Sequence, residues 1–191
     1  MKILNIVALM CILSTVAFAA EFQVDKSSKN LVKFISDAPL EDFEGKTDKI
    51  DGYIFWEGDD LTNKSEIYFE VDLKSIDTGI GLRNRHMREN YLHTDKYPIT
   101  HYKGMITRAE KTDGENFNVV TEGTIFIHGV ERKLTASGEI VNTGENGYQI
   151  ITKFEVKLPD FNIEVPQLMF MKINEVIKLE LTFFVKLNDT N

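Results

Sequence analysis

Three arginines and a histidine crowd together at Arg83, Arg85, His86 and Arg88, within the stretch SIDTGIGLRNRHMRENY over residues 75–91. The formal charge of the chain is −8 at pH 7, so guanidinium groups are gathered here against the prevailing sign. Guanidinium forks grip carboxylate or phosphate at two points, so the stretch can hold the polar head of a ligand. It can equally clamp its own chain by pairing with Asp72, Asp77 or Glu89, with His86 as a hydrogen-bonded strut beneath it. Catalysis is the third chemistry to weigh. No nucleophile accompanies His86: Ser75 and Ser137 lie in no nucleophile-elbow context. A zinc site needs three or four ligands. The 4 histidines, His86, His93, His101 and His128, are dispersed and form no H-E-x-x-H or similar pair. No catalytic residue, metal or cofactor is therefore assigned, and head-group binding and lid clamping both stay open for Arg83, Arg85, His86 and Arg88.

The elements around this stretch are strands. Ile177, Leu179, Leu181, Phe183 and Val185 alternate with Lys178, Glu180, Thr182 and Lys186, a period of two that gives a strand one dry face. The pattern recurs over Ile67–Leu73, Ile50–Trp56 and Ile150–Leu158, and in shorter runs at Phe22–Asp25, Val32–Ser36, Tyr102–Arg108, Val119–Ile127 and Leu134–Val141. Asp113-Gly114, His128-Gly129 and Glu145-Asn146-Gly147 read as hairpin turns. The basic stretch breaks this period. Asn84 can cap a helix, Met87, Tyr91 and Leu92 fall at helical spacing, and Arg85 can pair with Glu89. A short helix over about 84–92 is expected, ended before Pro98, in a crossover at one end of the sheet.

The chain opens with a positive Met1-Lys2, an apolar run from Ile3 to Val16 and the small-x-small signal Ala17-Phe18-Ala19. This pattern predicts a secretory signal peptide over residues 1–19, cut after Ala19 or one residue later, and export to the periplasm. The single cysteine, Cys11, lies inside it, so residues 20–191 form one domain with no disulfide and no cysteine-ligated metal. Loss of Lys2 takes the net charge from −8 to −9, which excludes nucleic acid or an anionic membrane as a partner held by bulk charge. No later apolar run approaches a membrane span, so no stable membrane insertion is expected.

The inward faces gather Phe34, Ile54, Trp56, Phe69, Val71, Tyr102, Phe154, Leu179, Leu181 and Phe183. A sandwich would pack such faces solid, whereas a barrel of about eight strands can leave room for an apolar guest. Gly52, Gly104, Gly123, Ala136 and Gly138 interrupt the lining, either at barrel bends or where something approaches the backbone. An off-pattern cluster, QLMFMKINE over residues 167–175, adds Met169 and Met171 as candidates for an adaptable mouth or for a plug.

Taken together, FEVDLKSIDTGIGLRNRHMRENYLHTDKYPITHYKG resembles the diagnostic segment of the YceI-like family, through SIDTG, the R-x-x-H-[hydrophobic]-R core at Arg83–Arg88, and KYP at Lys96–Pro98. FQVDKSSKNLVKF looks like that family's first hairpin, and FEGKTDKIDGYIFW like a later strand. EGTIFIHGVERKLT resembles its Gly-Val hairpin, and LPDFNIEVP its penultimate strand and exit. The resemblance implies an all-β, lipocalin-like antiparallel barrel with a helix over its interior, which binds polyisoprenoids or related lipids. The chain is then expected to be a carrier of an apolar small molecule such as an isoprenoid, quinone, fatty acid or fatty amide, not an enzyme. A structural module with a self-filled barrel is the alternative. The chain departs from the family pattern at Asn84, where many members are acidic, and in the acidic connection ISDAPLEDFEGKTD. An exposed barrel edge or the 167–175 cluster could support a homodimer.

Overall fold

Strands with one dry side must hide that side, and this chain does so by curling its sheet until the two edges meet. The computed structural model describes residues 19–37, 42–144, 146–168 and 171–188. Its strands are β1 (Ala19–Val24), β2 (Leu31–Ser36), β3 (Phe43–Thr47), β4 (Ile50–Glu57), β5 (Glu66–Asp72), β6 (Ile99–Lys111), β7 (Phe117–Ile127), β8 (Val130–Gly144), β9 (Gly147–Lys157), β10 (Gln167–Leu168), β11 (Met171–Lys172) and β12 (Val176–Leu187). In space β1, β4, β5, β6, β7, β8, β9 and β12 follow one another, and β12 pairs back onto β1 from Phe22–Leu187 to Val24–Val185. This is a closed antiparallel barrel of 8 strands, which the alternation allowed and the family resemblance implied.

Two of its staves are doubled end to end. Along one edge of β12, β1 occupies residues 185–187 and β2 continues along 177–182. β1 and β2 therefore do not form the hairpin expected from FQVDKSSKNLVKF; they are one line interrupted at residues 25–30. The interruption is held by its own polar side chains. The Asp25 carboxylate accepts bonds from Ser27 N (3.1 Å), Ser27 Oγ (2.7 Å) and Ser28 Oγ (2.8 Å), and Asn30 Oδ1 accepts from Phe184 N at 3.0 Å. These local bonds compete with the ladder and stop it for a turn. In the same way β3 pairs with β2 and β4 with β1, so β3 and β4 make a second doubled stave.

The crossover from β5 to β6 carries the helix α1 (Gly81–His86), which continues as a wider π turn through Met87–Tyr91. It begins at Gly81, not at Asn84, because Asn84 does not cap it. The Asn84 side chain instead reaches back to Thr78 and Asp77. Ion pairs among the described residues are all made by lysines, so the expected Arg85–Glu89 pair is not formed.

The wall opens in a seam between β8 and β9. β8 pairs with β7 from Val130 through Ile140, but joins β9 only from Gly138 onward. Below that point the two strands diverge. The chain leaving β9 turns through a 3-10 segment, Leu158–Phe161, and buries Phe161 and Ile163 against Leu134, Phe154 and Val156. LPDF is thus a wedge filling the seam and not an extension of the strand. At the other end of the barrel a separate aromatic group closes the interior. Phe22 stacks on Trp56 with centroids 4.8 Å apart, and Tyr148 meets both edge-on.

Candidate functional site

Between the aromatic floor and the helix lies a cavity of about 720 Å³. Its walls are built by the alternation itself: each strand turns every second residue inward. Phe34, Ile54, Phe69, Val71, Tyr102, Phe154, Leu179, Leu181 and Phe183 all line it, as the pattern predicted. Trp56 does not. It is 5% exposed and belongs to the floor, where its ring packs on Phe22 instead of on the cavity. Met169 lies outside the described residues, and Met171 falls in β11, which pairs with β10 through Leu168–Met171.

The strand glycines have a specific purpose. A Cβ on Gly45 would fall 2.7 Å from Phe34 Cζ, and one on Gly123 would fall 2.8 Å from Tyr102 Cζ. Each glycine leaves a shallow where an aromatic ring lies flat against the wall, which keeps the lumen open beside it. Gly52 is different: its φ of 131° marks a bend that a side chain would strain. Among the interrupting residues, Gly52 therefore marks a bend, and Gly123 a place where the β6 backbone and the Tyr102 ring approach.

The lumen is bounded mainly by apolar side chains, and its hydroxyls at Tyr102, Thr121 and Thr100 are occupied. Tyr102 Oη donates to Thr121 Oγ1 at 3.1 Å, Thr121 Oγ1 donates to the Ala136 carbonyl at 3.3 Å, and Thr100 Oγ1 donates to the Phe126 carbonyl at 2.6 Å. Burial pushes the Tyr102 phenol above its ordinary range, so it stays neutral. A cavity whose few polar groups are already satisfied offers water little and an aliphatic chain much.

The mouth is organised by Asp77-Thr78-Gly79. Gly79 takes a φ of 78°, and its N–H donates to Asp77 Oδ1 at 2.8 Å. Asn84 Nδ2 donates to the same carboxylate oxygen at 2.6 Å; with Gly79 N–H and the Arg88 charge, it holds the Asp77 carboxyl below its ordinary range. Arg83 Nε donates to Thr78 Oγ1 at 3.0 Å and Nη2 to the Thr78 carbonyl at 2.6 Å, while its guanidinium sits 4.7 Å from the Phe43 ring centroid. Arg88 Nη2 donates to the Ile76 carbonyl at 3.0 Å. Two of the three arginines therefore do clamp the crossover, but onto carbonyls and a hydroxyl, not onto Asp72, Asp77 or Glu89. A carbonyl accepts the fork without neutralising it, so the positive charge remains. Arg83 and His86 line the cavity, whereas Arg85 and Arg88 do not. His86 is exposed and is not the buried strut expected beneath the helix.

One pair escaped the sequence. His93 Nδ1 and His128 Nε2 are 2.7 Å apart, and His128 Nδ1 lies 3.0 Å from the Phe161 carbonyl. The carbonyl can only accept, so His128 Nδ1 carries a proton, and in the neutral imidazole Nε2 then accepts from His93 Nδ1. This chain of bonds ties the end of the crossover to the β7–β8 turn and to the wedge. His93 and His128 both sit at positive φ, 44° and 51°, which spacing along the sequence does not reveal. Among the described residues no group of three or more His, Cys, Asp or Glu is placed to hold a metal ion.

A family model described as the YceI-like domain matches residues 22–185. No curated protein sequence matches the chain. Solved structures share its fold. BcnA of Burkholderia cenocepacia superposes with a TM-score of 0.68 at 16% identity, covering 84% of this chain and 98% of its own. A polyisoprenoid binding domain from Saccharophagus degradans implicated in plant cell wall breakdown gives 0.67 at 16% identity, covering 90% and 100%. The YceI protein of Campylobacter jejuni gives 0.60 at 18% identity, covering 78% and 87%.

Proposed function

The chain belongs to the YceI-like family, and from that premise we propose that it is an exported binding protein that holds one long apolar molecule inside its barrel. The observation that carries this reading is the cavity of about 720 Å³, bounded by aliphatic and aromatic side chains whose neighbouring hydroxyls are already bonded. A water-sized group takes about 30 Å³, so the lumen holds roughly two dozen methylene-sized groups. This suits a fatty acid, a fatty amide or a short isoprenoid chain more than a very long polyprenyl tail fully enclosed. Likeness to the Saccharophagus degradans domain supports the isoprenoid class. A barrel filled by its own side chains would leave no such space, and among the described residues the bonded hydroxyls of the lining donate to Thr121 and to carbonyls, not to a histidine base as a lipid-modifying enzyme would need.

Export to the periplasm rests on the Met1–Ala19 pattern and the small-x-small signal before Glu21. Native mass spectrometry of protein purified without strong detergent tests the whole reading. The expected result is a mature chain starting at Ala20 or Glu21, with one extractable adduct of a few hundred daltons, whose removal lowers Tm through lost binding linkage. Protein that carries no lipid and takes none up on exposure to long-chain amphiphiles would overturn it.

A further inference from the structure

Few large apolar side chains face outward among the described residues, and two of them are neighbours on the crossover: Ile80 is 52% exposed and Leu82 is 53% exposed. Both also line the cavity, so the same side chains bridge lumen and surroundings. Beside them stand Arg83, Arg85 and Arg88, none in an ion pair with a described carboxylate, with Arg85 exposed. Apolar tips flanked by guanidinium groups fit an interface where hydrocarbon lies beneath anionic head groups. The mature chain as a whole carries a net charge of −9, so an anionic surface holds it only through a locally basic patch such as this one and not through bulk charge.

We propose that the crossover Ile80–Arg88 is a docking surface for an anionic lipid bilayer, which sets the cavity mouth against the membrane so that an apolar chain passes between bilayer and lumen without crossing water. This rests on the carrier reading above and adds where the carrier loads. Ile80 and Leu82 enter the head-group boundary, Arg85 meets lipid phosphates, and Arg83 and Arg88 keep the segment shaped through their bonds to Thr78 and Ile76. Docking is peripheral and reversible, because two aliphatic side chains and a few charges hold a protein only weakly.

The test is co-sedimentation of the mature chain with vesicles of phosphatidylcholine alone and with about a third phosphatidylglycerol, compared at low and high salt. The wild type is expected to bind the anionic vesicles about tenfold better, and to lose that preference as salt rises. Arg85→Glu and Ile80→Asp/Leu82→Asp are each expected to weaken binding about tenfold, and Met105→Asp, which replaces a side chain 55% exposed on β6, to change it less than about twofold. Uptake of a fluorescent fatty acid delivered from cyclodextrin is measured in parallel. It is expected to be unchanged in Arg85→Glu, because Arg85 does not line the lumen. No preference for anionic vesicles, or equal loss in Met105→Asp, overturns the docking surface. So does concentration-dependent dimerisation abolished by Ile80→Asp/Leu82→Asp, which would assign the patch to a second copy. Absence of fatty acid uptake by the wild type defeats the carrier reading instead, whatever the vesicles show.

Discussion

Substituting Ala136→Phe puts a phenyl ring into the lumen from β8, at a wall position between Leu134 and Gly138. A cavity of about 150 Å³ accommodates a benzene ring, so the new side chain removes roughly one fifth of the available volume. One fifth of two dozen methylene-sized groups is about five. At about 0.8 kcal/mol for each buried methylene, a chain that fills the wild-type lumen loses up to about 4 kcal/mol, close to a thousandfold in affinity. A chain of half that length still fits and loses almost nothing. The assay is displacement of a fluorescent fatty acid by a homologous series of saturated fatty acids, in both proteins. Wild-type affinity is expected to rise with each added methylene and then level off near the length that fills the lumen. In Ala136→Phe the levelling point moves to shorter chains by about five carbons, with short chains unaffected. A uniform loss across the series would refute the reasoning, since it would mean that the substitution acted through folding and not through volume. Unbroken growth in wild-type affinity far beyond that length would show that the chain is not confined in the cavity.

Three further outcomes follow from the geometry. His128→Ala removes the link between His93 and the Phe161 carbonyl; it should cost about 1–3 kcal/mol in urea denaturation and speed release of bound fatty acid in stopped-flow measurements. Gly45→Ala forces its methyl against Phe34 and should destabilise by about 1–3 kcal/mol, with part of the loss recovered in Gly45→Ala/Phe34→Leu, as a thermodynamic cycle would show. Asp25 is held well below its ordinary carboxylate range by Ser27 and Ser28, with Lys186 assisting. Its stabilising contribution is therefore present above the unfolded-state value of about 3.8 and fades as pH falls toward the lower folded-state value, so the stability gap between wild type and Asp25→Ala should be full at pH 6 and shrink steadily below pH 4.

Periodicity revealed the strands because a two-sided wall imposes it on every stave, whereas the barrel over a sandwich was implied by the family resemblance. Of the ten strand residues that the same logic turned inward, nine line the cavity, since facing inward depends only on parity along a strand. It failed for Trp56 because parity says which side a residue takes but not how far along the axis it sits. Trp56 points inward at the end where Phe22 and Tyr148 fill the space. The doubled staves were invisible for a related reason: two short alternating runs with a polar break look like a hairpin, and only the shared partner β12 makes them collinear. For the arginines, residue type left a clamp and a head-group site both open and named carboxylates as the clamp's partners, because backbone carbonyls carry no signature in sequence. The His93–His128 contact joins positions 35 apart through two left-handed turns, which no local pattern encodes.

Strand β12 meets β9 along its length on one side and β1 and β2 on the other. Until Val176–Leu187 joins them, β1, β2 and β9 each lack a neighbour on one side, and the ring is an open ribbon. Closure therefore waits on contacts far apart in the chain, Phe22 with Leu187 among them, and until they form the bare strand edges are open to pairing with other molecules.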